Sequence, residues 1–372
     1  MVTGAAGYVG QRLARALIRE GAGEVCVSDV REPEAIEGVA RVFLGDIRDA
    51  GLVRQWMAES RADCVVHVAS FGMSGREMVT PDLTWSINVG GTENVCSACR
   101  ESGAAMVYIS TVNVCFDGSE IVDGDEAMGY AEGHVDAYSA SKTAAERLVR
   151  ETYSDVRSVS LRPYGIYGEG EERHFPRMIR YFKRGLFFLF GTAADASDWV
   201  HVDNLVHAIL LADGRLATSR ETDGEAFLIG DGEPVNTLLM CEPLWALVSG
   251  GPAQGLRRLW MPYWLLYAFG WATERVYAVL HSTLGISFEP MLSRAEVNKV
   301  GRTHFWQTRR VRELLGYQPI VSREEGLRRM YAHFRRSLKQ EGYPRRYIQQ
   351  LHRLSLAVIL LAHLAFLLIF FC

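Results

Sequence analysis

Short apolar runs and helix-period segments alternate through residues 1–165 of this 372-residue chain. Val9, Leu13, Ala16 and Leu17 recur at the spacing of one helical face. Apolar runs predict strands over 24–28, 42–44, 62–68, 104–110 and 157–162, with helices over 86–99 and around Tyr138. Near-continuous apolar strands separated by helices describe a doubly wound α/β fold, a parallel sheet covered on both faces. Beyond Arg162 the pattern loosens. Helices over 175–184, 204–211 and 236–248 interleave with a short strand over 226–229. The predicted organisation is a dinucleotide-binding Rossmann domain over 1–165 and a smaller substrate lobe with interleaved sheet elements over 166–345.

Three stretches depart from this pattern. The central first strand of such a sheet needs about 5–6 apolar residues, and only Met1, Val2 and Thr3 precede the first glycine. Either translation starts late or the N-terminus is shortened, and weak folding or weak cofactor binding is expected. At the other end, 354–371 is apolar apart from Ser355 and His363 and carries no Asp, Glu, Lys or Arg. Eighteen helical residues rise about 27 Å, enough for the thin hydrocarbon core of the endoplasmic reticulum. Arg345, Arg346, His352 and Arg353 on its upstream side predict a tail anchor with the preceding domain in the cytosol. The aromatic run 260–271 is too short to span a bilayer and stops at Glu274 and Arg275. It reads equally as a core helix or as a segment at the membrane interface. The charged stretch 323–346 reads as a solvated helix face.

Composition narrows the class. A hydrophobic content of 48% supports a full core, and a net charge of −4 argues against a general nucleic-acid binder. The seven cysteines have no framework spacing, and Cys96 with Cys99 falls inside a helical stretch, so buried thiols are expected rather than disulfides. No metal is expected.

The chemistry begins at Gly4-Ala5-Ala6-Gly7-Tyr8-Val9-Gly10, a glycine triplet opening an amphipathic helix, with Asp29 closing the next strand. In a dinucleotide turn Gly4 makes the tight bend, Gly7 lets backbone N–H groups approach a pyrophosphate, and Gly10 lets helix and sheet pack closely. The helix N-terminus near Tyr8 faces the phosphates with its unpaired N–H groups. Asp29 can accept from both ribose hydroxyls and repels a 2′-phosphate, which favours NAD, although Arg31 is close enough to accommodate that phosphate. Asp46 and Ile47, after a short strand, fit an adenine-contacting edge or a plain surface turn.

Far downstream, Tyr138 and Lys142 lie four residues apart on a helix entered through Asp136, so they share a face. A phenol with a pKa near 10 is a poor base at neutral pH. A neighbouring ammonium and an oxidised nicotinamide both favour its phenolate. Tyr138 can then take a proton from a substrate alcohol while Lys142 holds the nicotinamide ribose. Thr111, just after the 104–110 strand, offers a hydroxyl for the developing carbonyl oxygen. Ser110 competes for that role, but strand alternation sends it to the other side. Asn88 fits either a water-holding relay or a helix-packing role.

These segments, with Asn88-Val89-Gly90-Gly91-Thr92 and Leu161-Arg162-Pro163-Tyr164-Gly165-Ile166-Tyr167-Gly168, resemble the extended short-chain dehydrogenase/reductase superfamily. Tyr108-Ile109-Ser110-Thr111-Val112-Asn113-Val114, His134-Val135-Asp136, Trp199-Val200-His201-Val202 and Ile229-Gly230-Asp231-Gly232-Glu233 look like its family 42E, beside the 3β-hydroxysteroid dehydrogenases. The resemblance implies NAD-linked oxidation of a hydroxyl on a sterol or similar lipid, with Tyr138 as proton acceptor. It also implies cofactor contacts at Tyr8, Val9, His67, Ala69, Asn88 and Pro163. Thr111 stands where many members have Ser, and Ser70 replaces an Ala of the His-x-Ala-Ala pattern. The implied partners are an apolar lipid or steroid and the bilayer, with a homodimer admissible. A sugar-nucleotide epimerase or reductase and a non-catalytic nicotinamide sensor are the competing readings. The anchor disfavours the first, and the joint presence of Tyr138, Lys142 and Thr111 the second.

Overall fold

The computed structural model describes residues 1–73, 80–251, 260–286, 288, 290, 292–340 and 348. Seven strands form one parallel sheet: β1 (Val2–Thr3), β2 (Val25–Asp29), β3 (Val39–Leu44), β4 (Cys64–His67), β5 (Ala105–Ile109), β7 (Ser158–Pro163) and β11 (Glu225–Ile229). Outside it, β6 (Ile121–Gly124) pairs with β13 (His304–Trp306), β8 (Gly165–Tyr167) with β10 (Trp199–His201), and β9 (Leu189–Phe190) with β12 (Trp260–Met261). The spatial order of the sheet is β11-β7-β5-β4-β1-β2-β3. The chain therefore reverses direction across the sheet between β1 and β4, the place where open α/β sheets bind ligands.

Strand alternation builds the two covered faces. Val27, Val66, Val107 and Val159 pack against α1 (Tyr8–Arg19) and α7 (Val202–Thr218). Their neighbours Cys26, Val65 and Met106 pack on the other side against α2 (Ala50–Ser60), α4 (Thr92–Ser102) and α5 (Ala137–Arg147). This is the predicted doubly wound arrangement. The predicted 86–99 helix is interrupted: α3 (Pro81–Trp85) runs into a π-helical turn, Ser86–Gly91, before α4 begins. A separate cluster is built from α6 (His174–Lys183), α8 (Thr237–Ser249), α9 (Tyr263–Leu284), α10 (Arg294–Gly301) and β9 with β12. α11 (Arg309–Leu315) returns to the large core, and α12 (Arg323–Gln340) packs on α8.

Three expectations are revised or bounded. The 323–346 stretch is not simply a solvated face, because α12 buries Met330, Phe334 and Leu338 at four-residue spacing. The 260–271 run is half core and half surface: Met261 is buried, Tyr263, Leu266 and Tyr267 pack on the small-lobe cluster, and Trp264, Phe269 and Trp271 are exposed. The 354–371 run and Cys372 lie outside the described residues, among which no helix is long and apolar enough to cross a membrane.

β1, at two residues, still pairs on both edges, Val2 with Val27 and with Val66. The Met1 ammonium donates to Cys64 O at 2.7 Å, and Val66 N–H donates to Met1 O at 2.8 Å. Cys96 and Cys99 are free and buried, as expected.

Candidate active site

The C-terminal ends of β1, β2, β4, β5 and β7 bring Gly4, Asp29, Ala69, Thr111 and Pro163 to one edge of the sheet. The glycine turn is sterically closed to side chains. Gly4 has φ +73°, and a Cβ there would lie 2.7 Å from Ala69 N. A Cβ on Gly10 would strike Gly4 O and come within 2.8 Å of Ala5 Cα. One on Gly7 would sit 3.2 Å from Gly4 O. The turn therefore keeps its shape and its approach to the helix only with glycine at 4 and 10, while Gly7 is tightly but not absolutely confined. Asp29 is tied to it: Ala6 N–H donates to Oδ2 at 2.9 Å and Arg31 N–H to Oδ1 at 3.0 Å. Gly45 N–H donates to Asp29 O, which sets the Asp46–Ile47 loop beside this carboxylate.

Several implied contacts take a different form. Val9 is buried in the sheet–helix core, leaving only its backbone on the turn side. The Tyr8 ring lies under the Arg12 guanidinium, 4.4 Å from its carbon, rather than open to a ligand. The Asp46 carboxylate is held by Arg48 at 2.6 Å, a hydrogen bond that lowers its pKa. Ile47 is buried, with Gly91 close enough that a Cβ there would meet its side chain.

His67 is the clearest revision. Its ring is fully buried, which drives its pKa down to about 3 and keeps it neutral. Thr92 Oγ1 donates to Asn88 O at 2.6 Å, so it accepts from His67 Nε2–H at 3.1 Å. Nδ1 then accepts from Thr3 Oγ1 at 2.7 Å, and Thr3 Oγ1 accepts from Ala69 N–H at 3.3 Å. The ring braces the turn from below and offers no free nitrogen. Asn88 is likewise a strut. Its amide bonds both backbone groups of Phe71 at 2.8 Å and donates to Ser141 Oγ at 2.9 Å, joining the post-β4 loop to α5.

Tyr138 and Lys142 lie one turn apart on α5 and are both buried. Lys142 Nζ donates to Ile109 O at 2.6 Å and sits 4.1 Å over the Tyr108 ring. Burial brings its pKa down to about 7, only partly opposed by the Glu146 carboxylate. Ser110 and Thr111 separate as alternation demands. Ser110 Oγ is committed to Glu146 Oε2 at 2.5 Å. Thr111 Oγ1 only accepts a 3.3 Å bond from Asn113 N–H, leaving its proton to donate elsewhere.

Two long-range pairs were not foreseen. Glu146, fully buried one turn beyond Lys142, binds Arg162 of β7 through Nη2 at 2.6 Å and Nε at 3.0 Å, and accepts from Tyr130 Oη at 3.1 Å. Lys299 of α10 binds the α5 cap Asp136 at 2.6 Å, with Nζ 5.8 Å from the Tyr138 ring centroid. Burial alone would raise the Asp136 carboxyl, but Lys299 and the Ser139 donors more than reverse that and hold it below its ordinary value. Glu169, His201 and Asp203 bring ligand-type atoms within 4.8 Å of one another. His201 already accepts from Asp203 N–H at Nδ1 and meets Glu169 at Nε2, so this group works as a hydrogen-bonded cluster.

The lowered Lys142 pKa has a measurable consequence. Between about pH 7 and 10.5 the unfolded chain binds this proton and the folded chain does not, so stability rises with pH across that window. The penalty for burying the ammonium is complete below pH 7, up to about 4–5 kcal/mol. Lys142→Met should remove that slope. Urea midpoints at pH 7 and pH 10 measure it, and parallel pH dependences for the two proteins would refute the assignment.

Glycine turn, acidic strand end and paired Tyr and Lys on a parallel seven-stranded sheet define a Rossmann-type fold of the extended short-chain dehydrogenase/reductase class. The chain belongs to the 3-beta hydroxysteroid dehydrogenase/isomerase family, whose model matches residues 1–247. It is 39% identical over 336 residues to short-chain dehydrogenase/reductase family 42E member 1 of Danio rerio, covering 86% of this chain and 84% of the relative. It is 28% identical to the human decarboxylating sterol-4-alpha-carboxylate 3-dehydrogenase, over 90% of this chain and 87% of that one. Among solved structures, the Thermus thermophilus UDP-glucose 4-epimerase in complex with NAD superposes with a TM-score of 0.64 at 23% identity, covering 90% and 98% of the two chains.

Proposed function

We propose that this protein is an NAD-dependent dehydrogenase that oxidises a hydroxyl, the 3β-hydroxyl, of a sterol-like lipid to a ketone. The observation that carries the reading is the α5 pair: Tyr138 and Lys142 on one buried face, with Lys142 fastened to the end of β5 immediately before Ser110 and Thr111. The residues present fit the dinucleotide. Gly4 and Gly10 leave no room for a Cβ against the backbone of Ala69, Gly4 and Ala5, so the turn is drawn tight onto the helix N-terminus, and Asp29 stands at the adjoining strand end. NAD, when bound, accepts the hydride. Tyr138 Oη takes the hydroxyl proton, Lys142 favours the phenolate in the protonated form it holds around and below pH 7, and Thr111 Oγ1 donates to the oxygen as its carbonyl character develops. The names of the matched hydroxysteroid dehydrogenase/isomerase family and of the sterol-carboxylate relative support a sterol substrate, and the NAD-bound epimerase supports the cofactor. The 354–371 run supports a bilayer anchor that keeps the domain on the cytosolic face of the endoplasmic reticulum.

The test is NADH formation at 340 nm with detergent-solubilised protein and 3β-hydroxysterols, alongside chromatographic assay of UDP-hexose interconversion, which returns its hydride to the sugar and accumulates no NADH. Sterol-dependent reduction is expected. Turnover of UDP-hexoses alone would move the assignment to the epimerase reading. In the same preparation NAD should bind at least about tenfold tighter than NADP, a difference of about 1.4 kcal/mol. Asp29→Ala should erode that preference, and equal affinities in the unmodified protein would count against the role of Asp29.

A further inference from the structure

We propose that Lys299, carried in on the small lobe, is a positioning residue for Tyr138: its ammonium fastens the start of α5 and sets a second positive charge against the phenol ring. The inference rests on the role of proton acceptor proposed above for Tyr138. One atom makes both contacts. Lys299 Nζ donates to Asp136 Oδ2 at 2.6 Å and lies 5.8 Å from the centroid of the Tyr138 ring. The other oxygen of that carboxylate, Oδ1, accepts from Ser139 N–H at 2.8 Å and from Ser139 Oγ at 2.7 Å. Asp136 thus caps α5 with one oxygen and ties it to α10 with the other, and Tyr138 sits in the turn held between them.

The small lobe presents this lysine on a braced helix. Ser293 and Glu296 close a capping box at the start of α10, and Glu296 is also paired with Arg177 of α6. Val297 is fully buried in the small-lobe cluster, and Asn298 Oδ1 accepts from the Tyr263 hydroxyl of α9. The Lys299 side chain is 20% exposed and that of Asp136 9%, so salt screens the pair less than one in open water.

A cation within about 6 Å of an aromatic face is attracted to the ring. Loss of the phenol proton makes that ring system negative, so the attraction grows and the phenolate is favoured. The neighbouring ionisable groups do not duplicate this effect. Lys142 shares α5 with Tyr138, but burial brings its pKa down to about 7, so its charge falls away as the pH rises through neutrality. Tyr108 of β5 remains a phenol because burial pushes it well above its ordinary value. Glu146, farther along α5, is held by Arg162. Burial lowers His134, His174 of α6 and His304 of β13, the last to about 4, which keeps these rings neutral at pH 7. Asp136 is an anion, and Lys299 offsets it directly. Lys299 therefore brings positive charge to the ring independently of Lys142. Because that charge arrives on α10, docking of the small lobe on α5 and readiness of the base are coupled.

The test follows Tyr138 itself in the detergent-solubilised full chain loaded with NAD. Isotope-labelled tyrosine Cζ reports ionisation by NMR, and Tyr138→Phe identifies the resonance. Lys299→Gln keeps a donor for Asp136 but carries no charge. It should raise the pH at which Tyr138 ionises by about one unit, and Lys299→Arg should titrate with the parent. Turnover should move in step, with a loss of about tenfold on the acid limb of the pH profile that shrinks as the pH rises. If Lys299→Gln does not fold, the step from Asp136→Asn to Asp136→Asn/Lys299→Gln gives the same reading, because Asn still caps α5. An unmoved Tyr138 titration overturns the proposal and leaves Lys299 as a tie between lobes. A loss of turnover by the same factor at every pH also overturns it. The titration needs no substrate, so a parent that oxidises no sterol refutes the sterol reading while Tyr138 still decides the role of Lys299.

Discussion

Arg162→Met is expected to lower the unfolding free energy by about 3–5 kcal/mol, the range for breaking a buried ion pair from one side. Glu146 has no exposed surface, and Arg162 is its closest cationic partner. Arg150, at 3.7 Å and partly exposed, is a weaker one. The Ser110 and Tyr130 hydroxyls would remain as donors but bring no charge. The substitution thus leaves a carboxylate in the core of the sheet–α5 interface without its counter-ion. Arg162→Met/Glu146→Leu, which removes both charges, should recover most of the loss, because the desolvation of the pair disappears with it. Urea unfolding of the two single variants and the double variant gives the coupling directly. A loss below about 1 kcal/mol for Arg162→Met would mean that the pair contributes no more than a surface ion pair.

This buried pair also explains which parts of the site the sequence discloses. Gly4, Gly7, Gly10 and Asp29 are readable because their roles are local: a bend, a close approach and a strand end follow from spacing within one β-α-β unit. Tyr138 and Lys142 are readable because four residues on a helix settle which face they share. Glu146 carried the same signal, a further four residues along that face, and Arg162 a second one, a charge inside an otherwise apolar strand run. A charge in such a strand implies a buried partner, and the pairing could have been proposed from those two facts. Lys299 gave no such signal. Its partner Asp136 is 163 residues away and belongs to the other lobe, so only the assembled fold brings them together. His67 shows the opposite limit. A motif implied a cofactor contact, whereas the fold spends both ring nitrogens on Thr3 and Thr92. The exposure of α9 was likewise undecidable from composition, because aromatic density suits a core and a membrane interface equally.

Tyr138→Phe is expected to lower the rate of alcohol oxidation by 10² to 10⁴-fold, about what a positioned acid–base group contributes, with NAD affinity nearly unchanged. The substitution spares the struts around it. Ser141 Oγ donates to the Tyr138 backbone carbonyl at 2.8 Å, and the Asn88 strut acts through Ser141, so neither depends on the phenol oxygen. The phenylalanine ring keeps the 5% exposed packing of the parent and the approach of Lys299 to the ring face. Lys142 stays on Ile109 O, so its contact with the end of β5 survives. What disappears is the one oxygen on this face of α5 that can take the substrate proton in the proposed arrangement. Ser110 cannot substitute, because its hydroxyl is bound to Glu146 on the far side of the strand end. Thr111 can donate to the substrate oxygen, but its alcohol is far too weak an acid to serve as the base at neutral pH. Stopped-flow NADH formation separates the hydride step from binding, and cofactor titration by fluorescence reports affinity. Turnover within about tenfold of the parent, with NAD bound normally, would move the base to another residue. Loss of turnover together with loss of NAD binding would instead mark Tyr138 as part of the cofactor pocket alone.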